Sequence, residues 1–338
     1  MNDLNKSQEE RASRLHKEAI IVDTHCDTLM QLLPQPWGIP EARKLGERSE
    51  RGHIDLPRMI EGGVTCQTFA IYTGRRPFVP EASLVAMQMV DKFYSEIEAN
   101  QEIMAVTNSE EIIDAKKEGK VCGLLSMEGA EPLMGELAAL RIFYKLGVRM
   151  LSFAWNYRTP FADGLGAKRA ESKLPELGLQ ALDEMDRLGV IFDVSHLADS
   201  VFWDVNDVMK GAFIASHSNS RSVCDHPRNL TDDMINALAD HGGIMGMNFA
   251  TGFVKKEKDK VTVEDLVDHI DHIVELVGPN HVGLGSDYDG IRKAPEGIDD
   301  VSQLFNITRV LVKRGYSDDD ILKILGGNHL RVFKEILV

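Results

Sequence analysis

Apolar residues gather into eight short runs rich in β-branched side chains, at about 19–24, 64–71, 121–127, 148–154, 190–195, 212–216, 243–249 and 281–286. Most are continuous rather than alternating, as in parallel strands covered on both faces. Between them the spacing becomes that of amphipathic helices, at about 81–99, 108–118, 135–146, 175–188, 199–209, 230–241 and 263–277. Several helical stretches stop at a glycine that leads into the next strand, as in Leu146-Gly147-Val148, Leu188-Gly189-Val190 and Glu61-Gly62-Gly63-Val64. Glycine accepts the left-handed backbone that ends a helix. Eight strand–helix units predict an α/β fold of the (β/α)8 TIM-barrel type, with its active site at the C-terminal ends of the strands. The segment 31–60 breaks the alternation, and Pro34, Pro36, Pro40 and Pro57 predict a long irregular excursion beside the barrel mouth. Helices at about 301–335 are expected to close the outer layer.

Residues able to do chemistry collect where these strands end. His25-Cys26-Asp27 closes the first run, and on an extended strand the first and third side chains of His-x-Asp point the same way, able to grip one metal ion. Glu128, His196, His217 and Asp287 each follow a later run. Taken singly, each has a structural explanation: a hydrogen-bonded histidine beside a strand, a helix cap at Glu128-Gly129, turn residues at Asp287 and Asp289. None of these explains why all of them stand at the same rim. A binuclear metal hydrolase needs an anionic bridge, neutral imidazoles, further carboxylate and an open position for water. His25 and Asp27 are expected on one ion and His196 and His217 on the other, with Glu128 between them. Two ions ~3.5–4 Å apart lower the pKa of a shared water toward ~7. The remaining histidines lack this placement, and His269 and His272, three apart on a helical stretch, are expected to be solvated.

Length and charge narrow the picture further. A chain of 338 residues without a linker-like stretch suits one barrel domain over 1–338, since such barrels take ~250 residues plus insertions. With 38 basic and 53 acidic residues the net charge is −15, which argues against nucleic acid or an anionic membrane surface as partner. No apolar stretch approaches the ~20 residues of a membrane span, and the polar, helix-like first 19 residues do not read as a secretory signal. Cys26, Cys66, Cys122 and Cys224 are scattered, without a CxxC pair, and read as small buried thiols. A cytoplasmic, soluble protein is the expectation.

Seven segments together resemble the membrane dipeptidase (renal dipeptidase) family of zinc peptidases, family M19, within the metal-dependent amidohydrolase superfamily. They are Ile21–Thr28, Ser126–Gly129, Asp193–Leu197, Ser216–Ser218, Ser222–Cys224 with Arg228-Asn229, His281–Gly290 and Gly326–Phe333, in family order over residues 19–335. The resemblance implies two Zn2+ ions on the ligands named above and hydrolysis of dipeptides by a hydroxide bridging them. It implies that Arg228 receives the dipeptide's terminal carboxylate, a task suited to a planar guanidinium. It also implies that Asp287 moves the proton from the attacking hydroxide to the leaving amine. One departure stands out: where many relatives carry an oxyanion-stabilising histidine after the fourth strand, Leu151–Asn156 is read as placing Phe153 in the substrate pocket, with Asn156 or Arg158 as substitute donor. Family members often pair as dimers, so a homodimer is a further expectation; the family's membrane attachment is not carried over. Two alternatives stay open: an amidohydrolase acting on another small amide, such as an N-acyl amino acid or a lactam, and a metal-loaded barrel that binds without turnover.

Overall fold

The computed structural model describes residues 4–34, 42–74, 81–167, 169, 172–256 and 260–337. Eight parallel strands form the barrel: β1 (Ile21–Cys26), β2 (Val64–Tyr72), β4 (Val121–Glu128), β5 (Val148–Ser152), β6 (Ile191–Phe192), β7 (Ile214–Ala215), β8 (Ile244–Met247) and β9 (Val282–Leu284). A further strand, β3 (Ile103–Ala105), pairs with the start of β4, with Ile103 opposite Val121, before β5 takes over that edge at Leu125. The spatial order is β6-β5-β4-β2-β1-β9-β8-β7. A parallel bridge between Asp193 and Ile214 joins its two ends, so the barrel closes. β1, β2 and β4 are buried at every position, which accounts for their unbroken apolar pattern.

Local chemistry sets the helix boundaries. Asn5 and Gln8 form a capping box at Lys6–Glu18, and Thr262 and Asp265 another at Val263–Val277. Gly189, at φ 71°, ends Glu176–Leu188 and releases the chain into β6. Two short helices, Thr28–Leu32 and Leu56–Glu61, straddle the two ends of the irregular excursion; Pro36 and Pro40 lie outside the described residues. The C-terminal part runs as Phe305–Lys313, Asp318–Leu322 and Asn328–Ile336. Among the described residues no helix is long and apolar enough to cross a membrane.

Two expectations need correction. The three-residue β3 falls between two strongly helical stretches and is too short to leave a period of its own. His269 is not solvated: it is fully buried, with Nε2 bonded to the Val254 carbonyl at 2.9 Å and Nδ1 accepting the Ser220 N–H at 3.1 Å. An i,i+3 pair on a helix does not reveal which face the rest of the protein covers. His272 does remain half-buried, paired with Asp232 at 2.8 Å.

Candidate metal centre

The C-terminal rim brings the buried His25, Asp27, Glu128, His196 and His217 together with the half-buried Asp287 into one cluster, although they lie up to 262 positions apart in the chain. Glu128 Oε1 stands 2.9 Å from His196 Nε2, 3.4 Å from His217 Nε2 and 3.8 Å from His25 Nε2. His25 Nε2 is also 3.7 Å from Asp27 Oδ2. His25, Asp27 and Asp287 present ligand atoms within 4.8 Å of one another, and so do His25, Glu128 and His217.

The hydrogen bonds around the imidazoles determine what faces the centre. Ser216 Oγ lies 2.5 Å from Asp193 Oδ2 and 2.7 Å from His217 Nδ1. A carboxylate only accepts, so the hydroxyl proton goes to Asp193 and the oxygen accepts the Nδ1–H of His217. His196 Nδ1 likewise donates to Asn156 Oδ1 at 3.1 Å. Both Nε2 atoms therefore turn bare lone pairs inward, 2.9 Å apart. Two lone pairs repel at that distance unless a cation lies between them, and two nitrogens on one tetrahedral zinc stand about 3.3 Å apart. His25 Nε2 and Asp27 Oδ1 are buried with no hydrogen-bond partner. This donor set of neutral imidazoles and carboxylates fits divalent cations, zinc among them.

The electrostatics point the same way. Burial drops His196 and His217 well below the usual imidazole range and keeps them neutral. Burial opposes charge on His25 too, yet the carboxylates of Glu128 and Asp27 prevail and push it up to about 10. Burial, reinforced by Asp27, raises Glu128 well above the carboxylate range and Asp287 to about 6. Such a cluster is short of positive charge and holds protons in its place.

Two aspartates fix the ligands from behind. Asp193 accepts from the Ser195 and Ser216 N–H groups, both at 2.9 Å, as well as from Ser216 Oγ. Asp23 repeats the arrangement at β1, accepting from Ser286 N at 2.7 Å, Ser286 Oγ at 2.6 Å and Gln67 Nε2 at 3.1 Å. Each thus ties the segment leading to one histidine ligand, His196 or His25, to the serine that precedes a residue of the neighbouring strand end, His217 or Asp287. These side-chain bonds supplement the backbone bonds of Asp193 N to Leu151 O at 3.0 Å and Val194 N to Ile214 O at 2.8 Å, beyond β6 and β7, which are shorter than the apolar runs predict. His196 at φ 70° and Asp287 at φ 61° adopt left-handed backbone, a strain of about 1–3 kcal/mol each that persists because these bonds hold it. Asn248 Nδ2 donates to Asp287 Oδ2 at 2.9 Å. Gly290 is needed for closeness: a Cβ there would fall 2.0 Å from Asp27 Oδ2.

The cluster opens into a cavity of about 310 Å³, at the small end for small-molecule sites. Met30, Tyr72, Trp155, Phe253 and Ile291 supply its apolar lining, and Arg228, Arg292 and Lys293 its cations. Arg228 is buried, with Nη2 bonded to the His217 carbonyl at 3.0 Å, Nη1 to Ser218 Oγ at 3.3 Å, and Nε without a partner. Asn156 also lines the cavity. Phe153 does not, and the expectation of a pocket role for it is corrected. Its ring is fully buried in the core, with centroids 4.7 Å from Phe192 and 5.6 Å from Phe161. The strand ends at Ser152, so strand alternation no longer tells which way the next side chains point, and it is Trp155 that reaches the cavity, between Tyr72 and His196. Arg158 is exposed and engaged by Asp163, with Nη2 2.9 Å from its Oδ2. Asp23, Asp193, Ser216 and Ser286 lie within recognisable motifs, but sequence spacing assigned them no role. Tyr72, Trp155 and Asn248 left no signal at all.

A cluster of imidazoles and carboxylates at the C-terminal mouth of a (β/α)8 barrel is the arrangement of a metal-dependent enzyme. Comparison with known proteins makes this specific: the chain belongs to the membrane dipeptidase family, peptidase family M19, whose model matches residues 9–337. It is 32% identical to an uncharacterized dipeptidase of Schizosaccharomyces pombe, over 97% of this chain and 83% of the relative. It is 31% identical to dipeptidase 3 of Mus musculus, over 97% of this chain and 66% of the relative. Among solved structures it resembles dipeptidase AC, an M19 metallopeptidase, with TM-score 0.84 and 31% identity over 94% of this chain and 99% of the other. A Rhodobacter sphaeroides metallopeptidase liganded with a phosphinate mimic of L-Ala-D-Ala matches with TM-score 0.84 and 29% identity, over 95% and 100% of the two chains. The protein is accordingly a metal-dependent dipeptidase.

Proposed function

We propose that the protein is a binuclear zinc dipeptidase that cleaves dipeptides bearing a free C-terminal carboxylate. His25 and Asp27 would hold one ion and His196 and His217 the other, with Glu128 as the carboxylate available to both. Bound there, such ions would supply Lewis acidity, lowering the pKa of a water and polarising a carbonyl. Arg228 binds the terminal carboxylate and so orients the peptide bond over the cluster. Asp287, one oxygen pinned by Asn248, takes the proton of the attacking water on its other oxygen and returns it to the leaving amine. Asn156 orients His196, and Trp155 shapes the substrate space.

The observation that carries the reading is the buried Arg228, its Nε unpartnered, lining the same small cavity as the cluster. A bidentate guanidinium in a dry site binds a carboxylate strongly and a neutral amide poorly. The test compares zinc-loaded protein on free dipeptides, their C-terminal amides and N-acyl amino acids, with metal content measured in parallel. Two ions per chain and strong preference for the free dipeptide are expected. Equal cleavage of acid and amide removes the anchor role, and a preference for N-acyl amino acids favours the wider amidohydrolase activity. Fewer than one ion per chain refutes the binuclear site.

A further inference from the structure

The charge of the cavity runs against that of the chain. The protein carries 53 acidic and 38 basic residues, yet the acids lining the cavity, Asp27, Glu128 and Asp287, all belong to the candidate metal cluster. The other charged lining residues are cations: Arg228, Arg292 and Lys293. Arg292 and Lys293 are exposed, and among the described residues neither has a hydrogen bond or ion pair. Arginines of the nearby excursion are engaged instead, Arg43 by Asp289 at 2.6 Å and Arg58 by Asp55 at 2.8 Å. Two adjacent cations without an internal carboxylate, in so acidic a chain, are available to an anion from outside.

Their backbone is also held in place. Gly290 N and Ile291 N both bond the Asp287 carbonyl at 3.1 Å, and Gly290 packs directly on the Asp27 and Asp287 carboxylates. On the far side Ala294 and Ile298 are buried. The two cations thus sit on a short span anchored at both ends, one end in contact with the cluster, so their backbone needs little ordering to meet a ligand and only the two side chains must settle.

We propose that Arg292 and Lys293 form an anion subsite that reads a carboxylate on the dipeptide's side chain, in addition to the terminal carboxylate, so that aspartate- and glutamate-containing dipeptides are the selected class. The inference rests on reading the cavity as a dipeptide site. Because both cations are exposed, the selection is moderate and salt-sensitive: about ten-fold at low ionic strength, weakening as the Debye length shrinks from ~10 Å at 0.1 M to ~3 Å at 1 M.

The test uses isosteric pairs, Asp against Asn and Glu against Gln, at each position of an alanine-containing dipeptide, with L- and D-residues at the second. Zinc-loaded wild type is expected to favour the acid at one position by about ten-fold in kcat/KM at low salt. That ratio should approach one at 1 M salt, and the double variant Arg292→Glu, Lys293→Glu should reverse it. An acid-to-amide ratio near one at both positions, or a preference unmoved by the charge reversal, overturns the subsite. Calorimetric binding of the same pairs reads the ratio whether or not the peptide is cut. A protein that cleaves no dipeptide therefore refutes the dipeptidase mechanism, while the binding ratio still decides the fate of the subsite.

Discussion

Replacing Ser216 by alanine removes one hydroxyl that links Asp193 at 2.5 Å to His217 Nδ1 at 2.7 Å. Asp193 keeps two backbone N–H donors, from Ser195 and Ser216, so the strand ends stay joined. His217 loses the acceptor that fixes its tautomer. Its Nδ1–H is then left unpaired in a fully buried site, at about 1–3 kcal/mol, or the proton moves to Nε2 and blocks the lone pair that faces Glu128. Loss of such an outer hydrogen bond typically costs about 10–100-fold in metal affinity, or about 1.4–2.7 kcal/mol. Zinc affinity of Ser216→Ala, measured by competition with a chromogenic chelator and checked against thermal unfolding, should fall by that amount while the fold persists. An affinity within two-fold of wild type would show that His217 needs no external orientation and would undo its tautomer assignment, leaving that of His196, set by Asn156, to stand on its own.

Asp287→Asn should keep its metal yet lose about 100-fold or more in kcat, because an amide of the same shape cannot take up the proton; near-normal turnover with full metal content removes Asp287 from the mechanism. Phe153→Ala should destabilise the protein by about 3–5 kcal/mol in urea unfolding while the ranking among dipeptides stays unchanged; a changed ranking would return this ring to the pocket. Burial lowers His269 to about 4 from an ordinary value of 6.5, so the unfolded chain binds the extra proton first as the pH falls. Stability from this residue is complete above pH 7, falls below about 6.5 and is down by about 2 kcal/mol at pH 5. Comparing wild type with His269→Gln by urea unfolding at pH 7.5 and 5 should show a smaller acid loss in the variant, and equal losses refute the assignment.

The barrel and most of its chemical inventory were legible in the linear pattern of residues. Continuous apolar runs at β1, β2 and β4 read as doubly covered strands because both of their faces are in fact buried, and Gly189 marked a helix end because its positive φ is costly to other residues. His25, Asp27, Glu128, His196, His217 and Asp287 were legible because barrel strands deliver their C-terminal ends to a single rim, which turns position along the chain into position in space. What each side chain does there depends on contacts between segments far apart in the chain. Asp23 and Asp193 sit beside ligands in the sequence, but their work is to bond serines on other strands, and no linear spacing encodes that. Beyond the last paired residue of β5 the two-residue alternation ends, so packing, not pattern, sent Phe153 into the core and Trp155 to the cavity. His269 lay on an amphipathic helix whose covering neighbours come from distant segments, near Ser220 and Val254. Periodicity is a property of one element and survives in the sequence; the partner across a gap is a property of the fold, because the chain must close on itself before the two residues meet.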